Sequence, residues 1–296
     1  MPRIVTAPEP AAAALAVPAA RAAPAGLRLA GAVGLVFTAD SPTALDPDLR
    51  TFVGDLVRPY GLPPDERRIT AGSGQSYAEM GEAVITALVA PDRPVDLLIE
   101  VFASPDVQPG RAASVHLSTY CPGRPFAFAL CEQGTAGAFS ALRLVASYLG
   151  GGAFRRALVL VVEASGLPYV PPDGTPVADR AAAVGLLWER DADLAVSLPA
   201  GGVRLTAPEA YERVVAALPP SAPGAEPLLL LGPGLAALDP PPGTRTLRAR
   251  PGNPYTGLWT LLADTLPRIR QEGREVFMAE YDVLLGHLDL ARVRGG

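Results

Sequence analysis

The chain has 296 residues, 49% of them hydrophobic, and a formal net charge of −5. That length and apolar content are ample for a large core, in one domain or two fused halves. Acidic and basic residues are interspersed, no basic stripe points to nucleic acid, and no apolar run reaches the roughly 18 residues that span a bilayer.

Lysine is absent, so every basic side chain other than histidine is an arginine. The two cysteines, Cys121 and Cys131, have no metal-type spacing to a histidine. A reducing cytoplasmic setting without a disulfide framework or a metal is therefore expected. Residues 1–26 form an Ala/Pro-rich arm without the cationic and apolar regions of a secretory signal.

Leu27–Thr38 reads as a strand and Asp48–Tyr60 as a helix stopped by Gly61-Leu-Pro-Pro. Tyr77–Val89 has apolar residues at helical spacing. Pro91-Asp-Arg-Pro ends it, and Val95–Ala103 reads as a buried strand. Gly110–Thr119 is a predicted helix. Phe126 to Glu163 then reads as strand, tight small-residue turn, helix and strand.

Gly166–Thr175 is turn-rich and divides the chain into halves, 27–170 and 171–296. In the second half Ala181–Glu189 and Ala192–Leu198 are predicted strands, Pro208–Leu218 a helix and Pro227–Leu231 a strand. Arg245–Arg250 is a solvated loop or an edge strand. Tyr255–Arg270 is a helix, and Glu275–Tyr281 and His287–Val293 close the chain as strands. Short apolar strands alternating with longer helices argue for an α/β fold with buried sheets.

Several segments resemble the ketosynthase III proteins. Asp65-Glu-Arg-Arg-Ile69 is similar to that family's Arg-Glu-Arg-Arg-Ile segment. Val95–Ala103 with the following loop is similar to its strand before the active-site half, and Phe126–Glu163 to its nucleophile-bearing block. Gly252-Asn253, leading into a helix, is similar to its late asparagine motif. The resemblance runs from about Leu27 to the C-terminus. It implies a thiolase-like αβαβα five-layer fold made of two pseudo-duplicated halves.

In that family a cysteine at a helix N-terminus takes an acyl group from a thioester. A histidine and an asparagine then stabilise the enolate formed when a malonyl thioester decarboxylates. Carried over by position, the nucleophile falls on Thr135. A threonine hydroxyl needs a base within reach, or else it caps the helix that starts there. The strand expected to precede the histidine is followed by Gly232-Pro-Gly-Leu-Ala236. His116 and His287 lie elsewhere and read as structural or surface residues.

Asn253 occupies the asparagine position, or serves as a turn or capping residue before Pro254. The family's dimer-contributed phenylalanine aligns with Gln108. Cys131, four residues before Thr135, is a rescue nucleophile or a small core residue. Glu132 is a candidate base or a solvated carboxylate. Arg58 resembles the family arginine near the coenzyme A entrance, or complements a helix C-terminus, and Arg67 and Arg68 are weaker candidates for the same role.

The resemblance implies a protein that binds acyl-carrier or acyl-coenzyme A thioesters, with no covalently bound cofactor, in fatty-acid or polyketide-type metabolism. A non-condensing partner subunit, forming a heterodimer with an active ketosynthase, is the first expectation, and a homodimer goes with the acyltransferase alternative. An acyltransferase using Thr135 or Cys131, or positioning alone, is the second, and a decarboxylating condensing enzyme is the third.

Overall fold

The computed structural model describes residues 27–38, 50–71, 74–108, 110–198, 200–219, 226–239 and 241–295. The Ala/Pro-rich arm, 1–26, lies outside them, as do the first two residues of the helix expected from Asp48. Ten strands and seven α-helices follow in chain order. They are β1 Arg28–Phe37, α1 Arg50–Val57, α2 Glu66–Ala71, α3 Tyr77–Leu88, β2 Leu97–Val101, α4 Ala113–Tyr120, β3 Phe126–Leu130 and α5 Ala136–Gly150. β4 Arg156–Glu163, β5 Ala181–Glu189, β6 Leu194–Ser197, α6 Ala207–Ala217, β7 Leu228–Leu231, β8 Arg245–Arg248, α7 Gly257–Glu272, β9 Val276–Asp282 and β10 His287–Gly295 complete the set.

The strand order is β3-β2-β4-β5-β1-β6-β10-β9-β7-β8. β2 runs parallel to β3 and β4, whereas β5 is antiparallel to β4 and to β1. β7 runs parallel to β8 and β9, whereas β10 is antiparallel to β9 and to β6. The last five strands thus repeat the order and direction of the first five, and the two sets meet where β1 pairs with β6. Ala181–Glu189, expected among the strands of the second half, joins β4 and β1 in the first set.

The apolar clusters define five layers. α3 and α4 cover one face of the first five strands. The other face packs on α5 and α7, which share one central core with the inner face of β7 and β9. α6 covers the outer face of the second set. β2, β4 and β7 are buried along their whole length, as strands covered on both faces must be. β3 and β8 are the edges, and Arg245–Arg248 settles as an edge strand.

Local signals explain the helix starts. Ser76 with Glu79 and Thr206 with Glu209 form capping boxes for α3 and α6. Asp106 adds a second cap on α3, accepting the Tyr77 N–H at 3.1 Å. α2 is a helix that the sequence pattern does not signal. Arg68 ties it to the strand-end turn, donating to the Ser165 hydroxyl at 3.3 Å.

In the middle layer the Phe139 and Trp259 rings stack 4.9 Å apart at 56°. They join α5 to α7, one helix from each set of strands. Phe139→Ala should lower unfolding free energy by about 3–5 kcal/mol. Phe126→Ala, on the exposed edge strand, should cost under about 1 kcal/mol. Chemical denaturation of the two variants checks the contrast, and equal losses would contradict it.

Candidate functional site

The turn 131–135 delivers the chain from β3 to α5. Glu132 and Gly134 both adopt left-handed backbone, at φ 61° and 53°. For Glu132 this is a strained conformation of the kind that collects at functional turns. Gly134 has a second reason to be glycine, because a Cβ there would collide with Asp282 Oδ2.

Asp282 is the last residue of β9, and it is buried at the start of α5. Its Oδ2 accepts the Thr135 N–H at 3.0 Å. Its Oδ1 accepts the N–H groups of Leu284 and Leu285 at 3.0 and 2.9 Å. A carboxylate from the second set of strands therefore caps the inner helix of the first.

The reverse pairing is also made. Glu163 is the last residue of β4 and is buried at the start of α7. It accepts the Tyr255 N–H at 3.0 Å, the Thr256 N–H at 3.2 Å, the Thr256 hydroxyl, and the Asn253 side-chain amide at 2.7 Å. Burial raises the Glu163 pKa against the opposing pull of these donors. The second amide hydrogen of Asn253 goes to the Arg180 carbonyl at 2.9 Å.

A third buried acid, Glu280, lies two residues before Asp282 on β9. Gly232 follows β7, and a Cβ there would collide with the Glu280 carboxylate. Glu280 is fully buried, accepts from the backbone of Tyr281 and Gly234, and burial pushes its pKa well up. No larger residue fits at 232 while Glu280 keeps that position. Among the described residues no group of three or more His, Cys, Asp or Glu could hold a metal ion.

The predicted site residues divide between two places. Thr135 and Asn253 stand at the two capped helix ends. The Thr135 hydroxyl makes no cap, contrary to the capping expectation. Among the described residues neither Glu132 nor Cys131 hydrogen-bonds to it. Cys131 is exposed and free rather than in the core.

Cys131 and Glu132 instead line a cavity of about 830 Å³ on the outer face of the first sheet. Its apolar wall includes Phe52, Leu56 and Phe102, and its polar floor holds Glu100 and Asp106. Burial raises Glu100 to about 8, with Asp106 adding to the rise. Burial likewise raises Asp106 to about 6. The lone glutamate inside Leu97-Leu-Ile-Glu-Val101 is the one sequence signal for this floor, and reading that segment simply as a buried strand misses it.

Arg58 pairs with Asp55 on the outside of the short helical turn Arg58–Tyr60. A smaller cavity of about 180 Å³ lies beside Asn253, flanked by Arg180, Arg248 and Arg250. His116 bonds Glu82 at 2.5 Å in the outer helix layer. His287 faces Asp289 at 3.8 Å and sits opposite Asp282 in the β9–β10 ladder.

No protein-family model and no curated protein matches this chain. Solved structures do match over nearly its whole length. A 3-oxoacyl-(acyl-carrier protein) synthase from Burkholderia xenovorans LB400 is 18% identical, with a TM-score of 0.56 over 92% of this chain and 94% of that one. The chain has the thiolase-like fold. A single-residue variant of Xanthomonas campestris OleA is 15% identical, with a TM-score of 0.56 over 93% of this chain and 100% of that one. An HMG-CoA synthase complexed with CoA is 12% identical, with a TM-score of 0.54 over 91% and 82%. At these identities the thiolase-like likeness is one of fold.

The close approach of Asp282 sets a measurable cost. Gly134→Ala should cost about 2 kcal/mol or more, from left-handed strain plus displacement of Asp282. Gly61→Ala, also left-handed but with no atom within 4 Å of the new Cβ, should cost about 1 kcal/mol. Denaturant titration of both compares them, and equal costs would remove Asp282 from the account.

The cavity floor should show in the pH dependence of stability. Glu100 binds its proton more tightly folded than unfolded, so its stabilisation is full below its ordinary value of 4.5 and is lost as pH rises to about 8. Glu100→Gln should flatten the fall in stability between pH 5 and 8 and leave the variant relatively more stable at pH 8. Thermal unfolding across that range checks the sign.

Proposed function

We propose that this protein binds acyl thioesters, on a carrier protein or coenzyme A, without condensing them, as a partner subunit of an active ketosynthase in fatty-acid or polyketide-type metabolism. The single observation that carries this reading is the occupancy of both helix ends by the chain's own carboxylates. Acyl transfer needs free N–H groups, or an equivalent donor set, where the thioester oxygen turns negative. Asp282 already accepts the Thr135 N–H, and Glu163 and the Arg180 carbonyl already accept both amide hydrogens of Asn253.

The hydroxyl at 135 adds to this. No base is hydrogen-bonded to it among the described residues, and an unassisted hydroxyl is a poor nucleophile at neutral pH. The neighbours named as a 3-oxoacyl-(acyl-carrier protein) synthase and as an HMG-CoA synthase complexed with CoA support a thioester as ligand. Arg180 and Arg250 beside the smaller cavity, and Arg58 in its exposed pair with Asp55, are candidate cations for a phosphate of the carrier arm. The exposed edge strand β3, with Phe126 projecting from it, is a surface on which a partner could pair.

One observation favours a second reading. Cys131 is a free, exposed thiol in the wall of the large cavity, and it could carry an acyl group where Thr135 could not. Incubation with a panel of acyl-coenzyme A and acyl-carrier thioesters, followed by intact mass, separates the readings. The first expects saturable binding with no covalent adduct and no decarboxylation of a malonyl thioester. An adduct lost in Cys131→Ala would establish the acyltransferase reading, and one lost in Thr135→Ala would overturn the closed-helix argument.

A further inference from the structure

The 830 Å³ cavity has a feature that thioester binding does not use. Glu100 is 1% exposed and lines it, yet its Oε1 has no hydrogen-bond partner. An unpartnered buried acceptor costs about 1–3 kcal/mol, more when charged. Such a group calls for a partner, an ordered water, an ion or a ligand, and here a cavity large enough for a ligand opens on it.

The groups around Glu100 decide which ligand. On β2 itself its neighbours are apolar, and from the N-terminus of α4 the Ser114 backbone N–H reaches the carboxyl. From the loop after β2 comes Asp106, whose own carboxylate takes the N–H groups of Tyr77, Val107 and Gln108. α3 contributes Tyr77, whose hydroxyl donates to the Ser104 carbonyl at 2.8 Å. The turn after β3 contributes Cys131 and Glu132, and the loop 164–170 contributes Tyr169. Among the described residues the cavity's one cation is Arg111, exposed at its rim. The charge that acts on Glu100 is Asp106, and the charge that acts on Asp106 is Glu79. Among the described residues, then, the floor gathers two acids with no buried positive charge lining it, and it turns negative as Asp106 ionises at about 6 and Glu100 at about 8.

We propose that this cavity binds an organic cation, a primary or secondary amine on an apolar body, with Glu100 Oε1 accepting a hydrogen bond from its ammonium. The ammonium supplies the missing donor and offsets the two neighbouring acids, while Phe52, Leu56 and Phe102 cover the apolar body. A neutral alcohol or carbonyl would fill the same volume and leave that field unanswered. The site lies on the face of the first sheet opposite α5, so it stands or falls apart from the closed helix ends that carry the first reading, while the Cys131 reading shares its wall.

Calorimetry on the full chain with 4-phenylbutylamine and its near-isostere 4-phenylbutanol tests the proposal. At pH 9 the amine should bind at least tenfold tighter than the alcohol. Its affinity should rise roughly tenfold from pH 7 to 9, as Glu100 ionises while the amine stays charged. Glu100→Gln should cost the amine at least tenfold and leave the alcohol unchanged. Equal binding of amine and alcohol, amine binding that weakens as pH rises, or no binding of either would overturn the proposal. The wild-type comparisons stand even if the variant fails to fold.

Discussion

The fold depends on two carboxylates that cross between its halves. Glu163 ends the central strand of one set and caps the inner helix of the other, and Asp282 does the reverse. Each sits where an apolar strand runs out beneath the positive end of a buried helix, so the strand supplies burial and the helix supplies the counter-field. With the Phe139–Trp259 contact between the helices themselves, these caps set how the two repeated units meet. Either acid without its N–H donors would be a buried charge with nothing to hold it.

The same interaction limits the chemistry. A helix N-terminus in the centre of a protein is a place for an anion, and in an enzyme that anion is formed in the reaction. Here the anion is resident. Glu280, whose neutral form burial favours, fills the space in front of Gly232 by bulk rather than by charge. Three buried acids thus occupy the middle of the molecule, whereas the large cavity lies to one side, between the first sheet and α1 and α4.

Much of this architecture is legible in the sequence, for identifiable reasons. β4 and β5 are long apolar runs buried on both faces, and their limits match the expected ones closely. α3 and α6 begin at sequence-visible caps. What is not legible depends on contacts far apart in the chain. Asp282 looks like the polar end of a strand, and nothing near it says that it meets Thr135, 147 residues away. Cys131 directly follows β3 and continues the alternation of Ala127 and Ala129, but alternation cannot say that the space beyond is a cavity rather than packed side chains. Turn-rich residues 166–175 look like a boundary that would put β5 in the second half, while strand pairing carries the first set on to Glu189.

The most direct test of the resident-anion account is the thiol pKa of Thr135→Cys, read from the pH dependence of alkylation in a Cys131→Ser background. A cysteine at an open helix N-terminus falls well below its usual value of about 8.5. With Asp282 already neutralising that helix end, the account predicts a thiol at or above about 8.5 and slow alkylation at neutral pH. A value below about 7 would show the helix end still open to an anion, and would contradict it.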